Sequence, residues 1–262
     1  MKMPRDILCY TSEFGNFEAV WDPITVDPQI EYSLISDSAH PVRVWRRETP
    51  EPQQLAASRL ANRTQKMLYR VNTGFSGVSV YIDANVRLIR SLLPAIQAFM
   101  DSGADIGLYR HYVHTNVRDE AAACIKRGKV SSPAKASEEI NHYRSLGFPD
   151  DAGLWEGSVI FKNHSSEKLA PAMNEWWDLY SRFQTRDQFS LPFVIWKHEL
   201  SVFDLDSHSL GREHYFVRLQ HSQAGVRNRM ARYLQARAPE NRFWAGTQAL
   251  ARRLSGDYGA NE

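Results

Sequence analysis

The chain is short of cysteine, of net charge and of long apolar runs, and each shortage removes a class of protein. Cys9 and Cys124 are the only two cysteines in 262 residues. Two distant cysteines are read as free thiols of a cytoplasmic protein, not as a disulfide framework. The N-terminus, "MKMPRDILCYTSEF", lacks the apolar core of a leader, and no apolar stretch is long enough to span a bilayer. A formal net charge of +2 gives no global reason to expect nucleic acid as a partner. Neither an internal repeat nor a low-complexity tract interrupts the chain. What remains is 43% hydrophobic and 24% charged, ordinary globular composition and enough for one large α/β domain.

Short apolar runs alternate with helical patterns. "DILCYTSEF", "IEYSLISDS" and "PVRVWRRE" read as strands, followed by a loop over 50–57. "LAASRLANRTQKMLYR" has helical spacing, "GVSVYID" is the central strand, and "SLLPAIQAFMDSG" is a helix with Pro94 near its first turn. "ADIGLYRH" and "LWEGSVIFKN" are further strands. Between them "RDEAAACIKRG" and "KASEEINHYRSLG" are helices that each stop at a glycine suited to a left-handed cap. "APAMNEWWDLYSRF" places Met173, Trp176, Trp177 and Tyr180 on one apolar helix face, and "TRDQFSLPFVIWKHEL" opens another helix. Such alternation predicts an α/β layered domain with a mostly parallel sheet. Ligands of such sheets sit beyond the carboxyl ends of the strands, where Tyr10, Thr11, Asp37, Asp83 and His111 fall.

The stretch "SVYIDANVRLI" poses the sharpest chemical question, because a carboxylate that closes a buried strand is costly unless something uses it. Asp83 and Asn85, one residue apart, can face the same cation in an extended turn. A plain turn or cap explains Asp83 equally well. Arg63 and Lys66 share a helix face and suit phosphates, as they would a solvated surface. His111 and His114 could ligate a metal, but their spacing fits no standard zinc pattern and a structural role suits each. Glu156 stands in a glycine-flanked turn before a strand, where a ligand can approach. Thr185 and Gln188 have the spacing of a capping box, with Asp187 in the first helical turn. "FDLDSH" brings Asp204, Asp206 and His208 together as a rival metal site, in a loop where turn chemistry also accounts for them.

Charge is uneven along the chain. From Arg212 to Arg253 nine arginines stand against Glu213 and Glu240. "GVRNRMARYLQAR" reads as a basic helix, either a solvated face or one that docks on an acidic polymer or on an anionic membrane at the inner face.

Together, "YTSEFGNFE", "SLISD", "RTQK", "VYIDANV", "GLWEGSVIFKNH" and "EWWDLYSRFQTRDQFS" resemble a glycosyltransferase-like family. It occurs in plant Golgi proteins linked to mucilage and xylan and in bacterial polysaccharide gene clusters, and was long catalogued as a domain of unknown function. The resemblance covers roughly 6–222. It implies a single-domain type A glycosyltransferase-like (Rossmann-like) fold over 1–222 with a mostly parallel central sheet; the charge pattern makes 223–262 a basic helical extension. It also implies a nucleoside diphosphate sugar as donor (a UDP-sugar first), a glycan or glycolipid acceptor, and Mn²⁺ or Mg²⁺. Under it Asp83 and Asn85 occupy the metal and donor motif, with His221 completing the metal shell and His208 and His214 as rivals. Arg63 and Lys66 match a basic pair near the donor phosphates, and Tyr10, Thr11 and Asp37 match the strand ends around the nucleoside. His111, Glu120 and Glu156 match polar positions around the sugar, and Arg186, Asp187 and Gln188 face the sugar or acceptor. Asp187, or alternatively Glu156, is then the catalytic base. Asn85 departs from the pattern: an amide oxygen can ligate a hard cation but supplies no charge. That departure keeps open a non-catalytic sugar-nucleotide or glycan-binding module. A metal-dependent hydrolase of a lipid or glycan is the remaining alternative.

Overall fold

The computed structural model describes residues 6–50, 58–130, 132–206, 212–221 and 225–255. In chain order the elements are β1 (Ile7–Glu13), β2 (Glu31–Ser36), β3 (Arg46–Glu48), α1 (Ser58–Leu68), β4 (Val78–Ile82), β5 (Val86–Leu88) and α2 (Leu93–Ser102). Then come β6 (Ile106–Arg110), α3 (Val117–Lys126), α4 (Pro133–Ser145), β7 (Trp155–Asn163), α5 (Leu169–Phe183) and α6 (Asp187–Lys197). β8 (Val202–Asp204), α7 (Arg212–Tyr215), β9 (Phe216–Arg218), α8 (Gly225–Arg237) and α9 (Arg242–Ser255) follow among the described residues.

Seven strands form one sheet in the order β3-β2-β1-β4-β7-β6-β8. It is parallel throughout except for β7, which runs antiparallel to both β4 and β6. This exception positions the site. Reversing β7 brings its first residues, Trp155 and Glu156, to the edge of the sheet where β4 and β6 end in Asp83 and His111. β5 pairs with β9 in a separate antiparallel ribbon.

Period-two alternation along the strands feeds two cores. Leu8, Tyr10, Tyr81, Leu108 and Ile160 face α1, α5 and α6; Ile7, Cys9, Val80, Ile82 and Phe161 face α2 and the small ribbon. The apolar face expected of "APAMNEWWDLYSRF" forms: Met173, Trp176 and Tyr180 are buried in the first core, with half-buried Trp177 at its margin. Burying a side chain as large as Trp176 stabilises by about 2–3 kcal/mol before cavity terms. Gly128 and Gly147 close α3 and α4 with φ of 66° and 88°, the left-handed conformation expected of them. Pro94 sits in the first turn of α2.

Candidate active site

Asp83 follows Tyr81 by two residues and so projects toward α1, where the Tyr81 hydroxyl donates to its Oδ1 at 2.9 Å. From α1, Lys66 Nζ lies 3.5 Å from Asp83 Oδ1 and 2.6 Å from Asp187 Oδ2 at the start of α6. Arg63, three residues earlier on the same helix face, brings its Nε to 3.1 Å from Asp187 Oδ2. Two cations and two carboxylates thus alternate across three elements. Lys66 is almost wholly buried, and Asp83 and Arg63 keep about a quarter of their side chains exposed (27% and 24%). Burial alone would raise the Asp187 carboxyl. Arg63 and Lys66, with Arg186 behind them, outweigh it and hold that acid well below the usual carboxylate range.

Gly157 lets this arrangement close. A Cβ there would stand 3.1 Å from Lys66 Nζ, 3.3 Å from its Cε and 3.8 Å from Asp187 Oδ2. Gly157→Ala is therefore expected to push the ammonium off its carboxylates by a few tenths of an ångström, at a cost of about 1–2 kcal/mol. Thermal denaturation would register this as a melting point lower by a few degrees; an unchanged value would show that Lys66 has slack.

Next to Gly157, Glu156 accepts from Ser158 Oγ at 3.3 Å and has Arg218 Nη1 of β9 at 4.0 Å. His111 and His114 stack with centroids 5.7 Å apart, and each Nε2 lies 3.7 Å from Glu120 Oε2. Burial holds the His111 imidazole below its ordinary value, against the pull of Glu120 and Glu156, with His114 adding to the lowering. His111 Nδ1 accepts the His114 amide at 2.9 Å, which leaves the Nε2–H tautomer of the neutral ring to face the carboxylate. Gln188 Nε2 reaches the Trp155 carbonyl at 3.5 Å, tying the start of α6 to the start of β7.

The structure does not assemble the metal set. Asp83 O accepts the Val86 amide at 2.8 Å, and this tight turn swings Asn85 away, so that its amide donates to Leu219 O at 3.1 Å and it is buried. His221 pairs with Glu18 at 2.5 Å. Among the described residues no three His, Cys, Asp or Glu side chains are grouped to hold a metal. Asp83, the only expected carboxylate ligand, already has an ammonium beside it. Asp83, Asn85 and His221 therefore do not fit a Mn²⁺ or Mg²⁺ held by protein groups. The rival motif fails too: Asp204 Oδ2 takes Arg110 Nε at 2.5 Å and Asp206 Oδ2 takes the Arg110 amide at 3.0 Å. His208 lies outside the described residues, and His214 is half-buried against Tyr215.

A family model described as the TOD1/MUCI70 glycosyltransferase-like domain matches residues 1–215. The chain belongs to that family. No curated protein matches the sequence. Among solved structures, the apo form of mouse xyloside xylosyltransferase 1 is similar at TM-score 0.44 and 10% identity, covering 77% of this chain and 85% of that one. The apo structure of WbbM, a bifunctional glycosyltransferase, is similar at TM-score 0.43 and 14% identity, covering 77% of this chain and 39% of that one. Both likenesses are loose.

Within the TOD1/MUCI70 domain the nucleoside-side expectation needs correction at Tyr10 and Thr11. β1 continues to Glu13, so both lie inside the strand, at 0% and 1% exposure. Tyr10 packs on Tyr69 and Tyr81, and its hydroxyl donates to Lys66 O at 3.2 Å. Asp37 does stand at the exposed rim, accepting the Gly15 amide at 3.0 Å. The capping box is also absent: Thr185 donates instead to Glu139 Oε2, and Arg186 precedes the first residue of α6.

Two groups escaped sequence reasoning. Lys162 is wholly buried and donates to Tyr10 Oη at 2.9 Å and to Lys66 O at 2.5 Å. A lysine inside the apolar run "SVIFKN" was a visible signal. Glu139 receives Tyr143 Oη at 2.6 Å as well as Thr185. Burial raises this acid to about 7 against the lowering by both hydroxyls, and nothing in "SEEINHY" announces it.

Proposed function

We propose that this member of the TOD1/MUCI70 family transfers a sugar from a nucleoside diphosphate donor, a UDP-sugar first, to a hydroxyl of a glycan or glycolipid acceptor. The observation that carries the reading is the meeting of Arg63, Lys66, Asp83 and Asp187 at the strand ends, one residue from Glu156 at Gly157. A diphosphate needs concentrated, partly dry positive charge, and α1 offers it from two side chains. In the proposed reaction the acceptor oxygen bonds to the anomeric carbon, the bond from that carbon to the diphosphate oxygen breaks, and the acceptor proton goes to a base. Arg63 and Lys66 meet the charge that builds on the departing diphosphate. Asp83, part of whose carboxylate reaches the surface, accepts hydrogen bonds from the donor's ribose.

The base is Glu156 rather than Asp187 in this reading. Arg63 and Lys66 lower the affinity of Asp187 for a proton, which suits it to aligning the two cations and not to taking the acceptor's proton. Neutral His111 and Glu120 line the sugar side, and Arg186 and Gln188 flank the acceptor side. Glu156→Gln is expected to lower turnover about 10²–10⁴-fold while nucleotide affinity stays within a few-fold; turnover equal to wild type would remove Glu156 from proton transfer. The missing metal set favours a second reading, a module that binds a sugar nucleotide without turning it over. Product analysis over a donor and acceptor panel separates the readings: glycosylated acceptor supports transfer, nucleotide binding without product supports the module, and free sugar alone indicates hydrolysis.

A further inference from the structure

The C-terminal helices carry a surface that the proposed reaction does not use. Over 225–255 there are seven arginines, no lysine and one acid, Glu240. Two of these arginines, with Glu240, are tied down by named partners. Arg87 of β5, four residues after Asp83, donates from Nη1 to Ala236 O at 2.5 Å and to Glu240 Oε1 at 2.9 Å. Arg232 is buried and bridges Glu18, Ala19 O and Gln220 O. Arg237 Nε pairs with Glu240 at 3.0 Å and its guanidinium lies over Trp244. The contacts of Arg87 and Arg232 bolt the helical pair to the sheet domain.

On α9 Phe243 and Leu250 are 71% and 58% exposed. They are seven residues apart, two helical turns, and so lie on one stripe with Thr247 between them. Arg242 and Arg253, both exposed, are three turns apart along one border of that stripe. Trp244 turns the other way and packs against Tyr233 at 5.7 Å, with Phe243 against its other edge at 5.2 Å. Tyr233 (40%) and Met230 (61%) of α8 extend the apolar surface, and Arg229 is exposed beside Met230. A large exposed apolar patch marks an interaction site. Its border of arginines, which suit phosphates in a bidentate fork, specifies an anionic occupant. Among the described residues no helix is long and apolar enough to cross a membrane.

We propose that α9, backed by α8, lies flat on an anionic lipid surface, with Phe243 and Leu250 entering the headgroup boundary and Arg242, Arg253 and Arg229 contacting lipid phosphates. The test is co-sedimentation of the full chain with phosphatidylcholine vesicles, with and without phosphatidylglycerol, beside sedimentation of the protein alone. The expected result is salt-sensitive binding to the anionic vesicles only. Arg242→Gln with Arg253→Gln should weaken it roughly 30-fold, at about fivefold per arginine, and Phe243→Ser with Leu250→Ser at least about tenfold. All four positions are exposed, so these variants keep the fold. No binding to anionic vesicles, or equal binding by wild type and both variants, would overturn the proposal. So would a self-associated chain that becomes monomeric on Phe243→Ser with Leu250→Ser, which would assign the stripe to a second copy of the chain.

Discussion

Asp187→Asn is expected to lower the melting temperature by roughly 6–12 °C. The substitution keeps the shape of the side chain and removes the negative charge shared by Arg63 Nε at 3.1 Å and Lys66 Nζ at 2.6 Å. Breaking a buried ion pair from one side leaves a desolvated cation and costs about 3–5 kcal/mol. Lys66 retains Asp83 at 3.5 Å, so the lower end, about 3 kcal/mol, applies here. For a domain of this size each kcal/mol moves the midpoint by about 2–4 °C. The hydrogen bond from Trp176 Nε1 to the Asp187 carbonyl, 2.9 Å, is unaffected because it uses the backbone. The double variant Asp187→Asn with Lys66→Met should be less destabilised than the sum of its singles by about 1–3 kcal/mol. Additive losses would mean that the two side chains do not act as a pair.

Lys162→Met is expected to remove a rise in stability between pH 7 and pH 9. Burial, with Lys66 adding to it, lowers the Lys162 ammonium to about 7 from 10.5. Between those values the unfolded chain holds the proton and the folded chain does not, so stability increases with pH across the interval. From pH 7 to 9 the gain amounts to about 2–3 kcal/mol. Other buried groups act outside this window. Burial and Lys162 lower His164 to about 3 from 6.5, which adds stability as pH rises to 6.5. Glu139, raised to about 7 from 4.5, loses stability as pH rises through 7 and offsets much of that gain. Burial pushes both thiols upward, Cys124 to about 11, and they lower stability only above pH 9. Denaturant unfolding at pH 7 and pH 9 checks the prediction: a slope in the wild type and a flat Lys162→Met. Equal slopes in both would mean that Lys162 stays charged in the fold.

Much of the fold was legible because strand and helix periods were clean and the strand ends carried polar residues. Arg63, Lys66, Asp83 and Asp187 were readable as chemistry, and the structure joins them across β4, α1 and α6. What periodicity could not show was direction. A nine-residue strand reads the same either way, and only the pairing of β7 with β4 and β6 brings Glu156 to the edge beside Asp83. Tyr10 and Thr11 were misplaced because the apolar run stops before the strand does: Ser12 and Glu13 are polar yet buried by neighbours in space. Asn85 shared a face with Asp83 only in extended backbone, and the turn from Asp83 to Val86 removed that premise. The capping role of Thr185 was lost to Glu139, a partner 46 residues away. The misses at Tyr10, Thr11 and Thr185 share one cause, a contact distant in sequence that outweighs a local preference, whereas Asn85 was lost to a local turn.

Calorimetric titration with UDP, GDP and CDP, each with and without Mn²⁺, tests most directly whether the strand-end cluster is a diphosphate site. The wild type should bind one of the three nucleotides. Arg63→Gln, which removes a charged donor at the partly exposed edge of the cluster, should weaken that binding about tenfold or more, and Asp83→Ala should weaken it as well. No binding of any nucleotide to the wild type, or equal affinity in wild type and Arg63→Gln, would contradict the account and leave Arg63, Lys66, Asp83 and Asp187 as a structural ion-pair network.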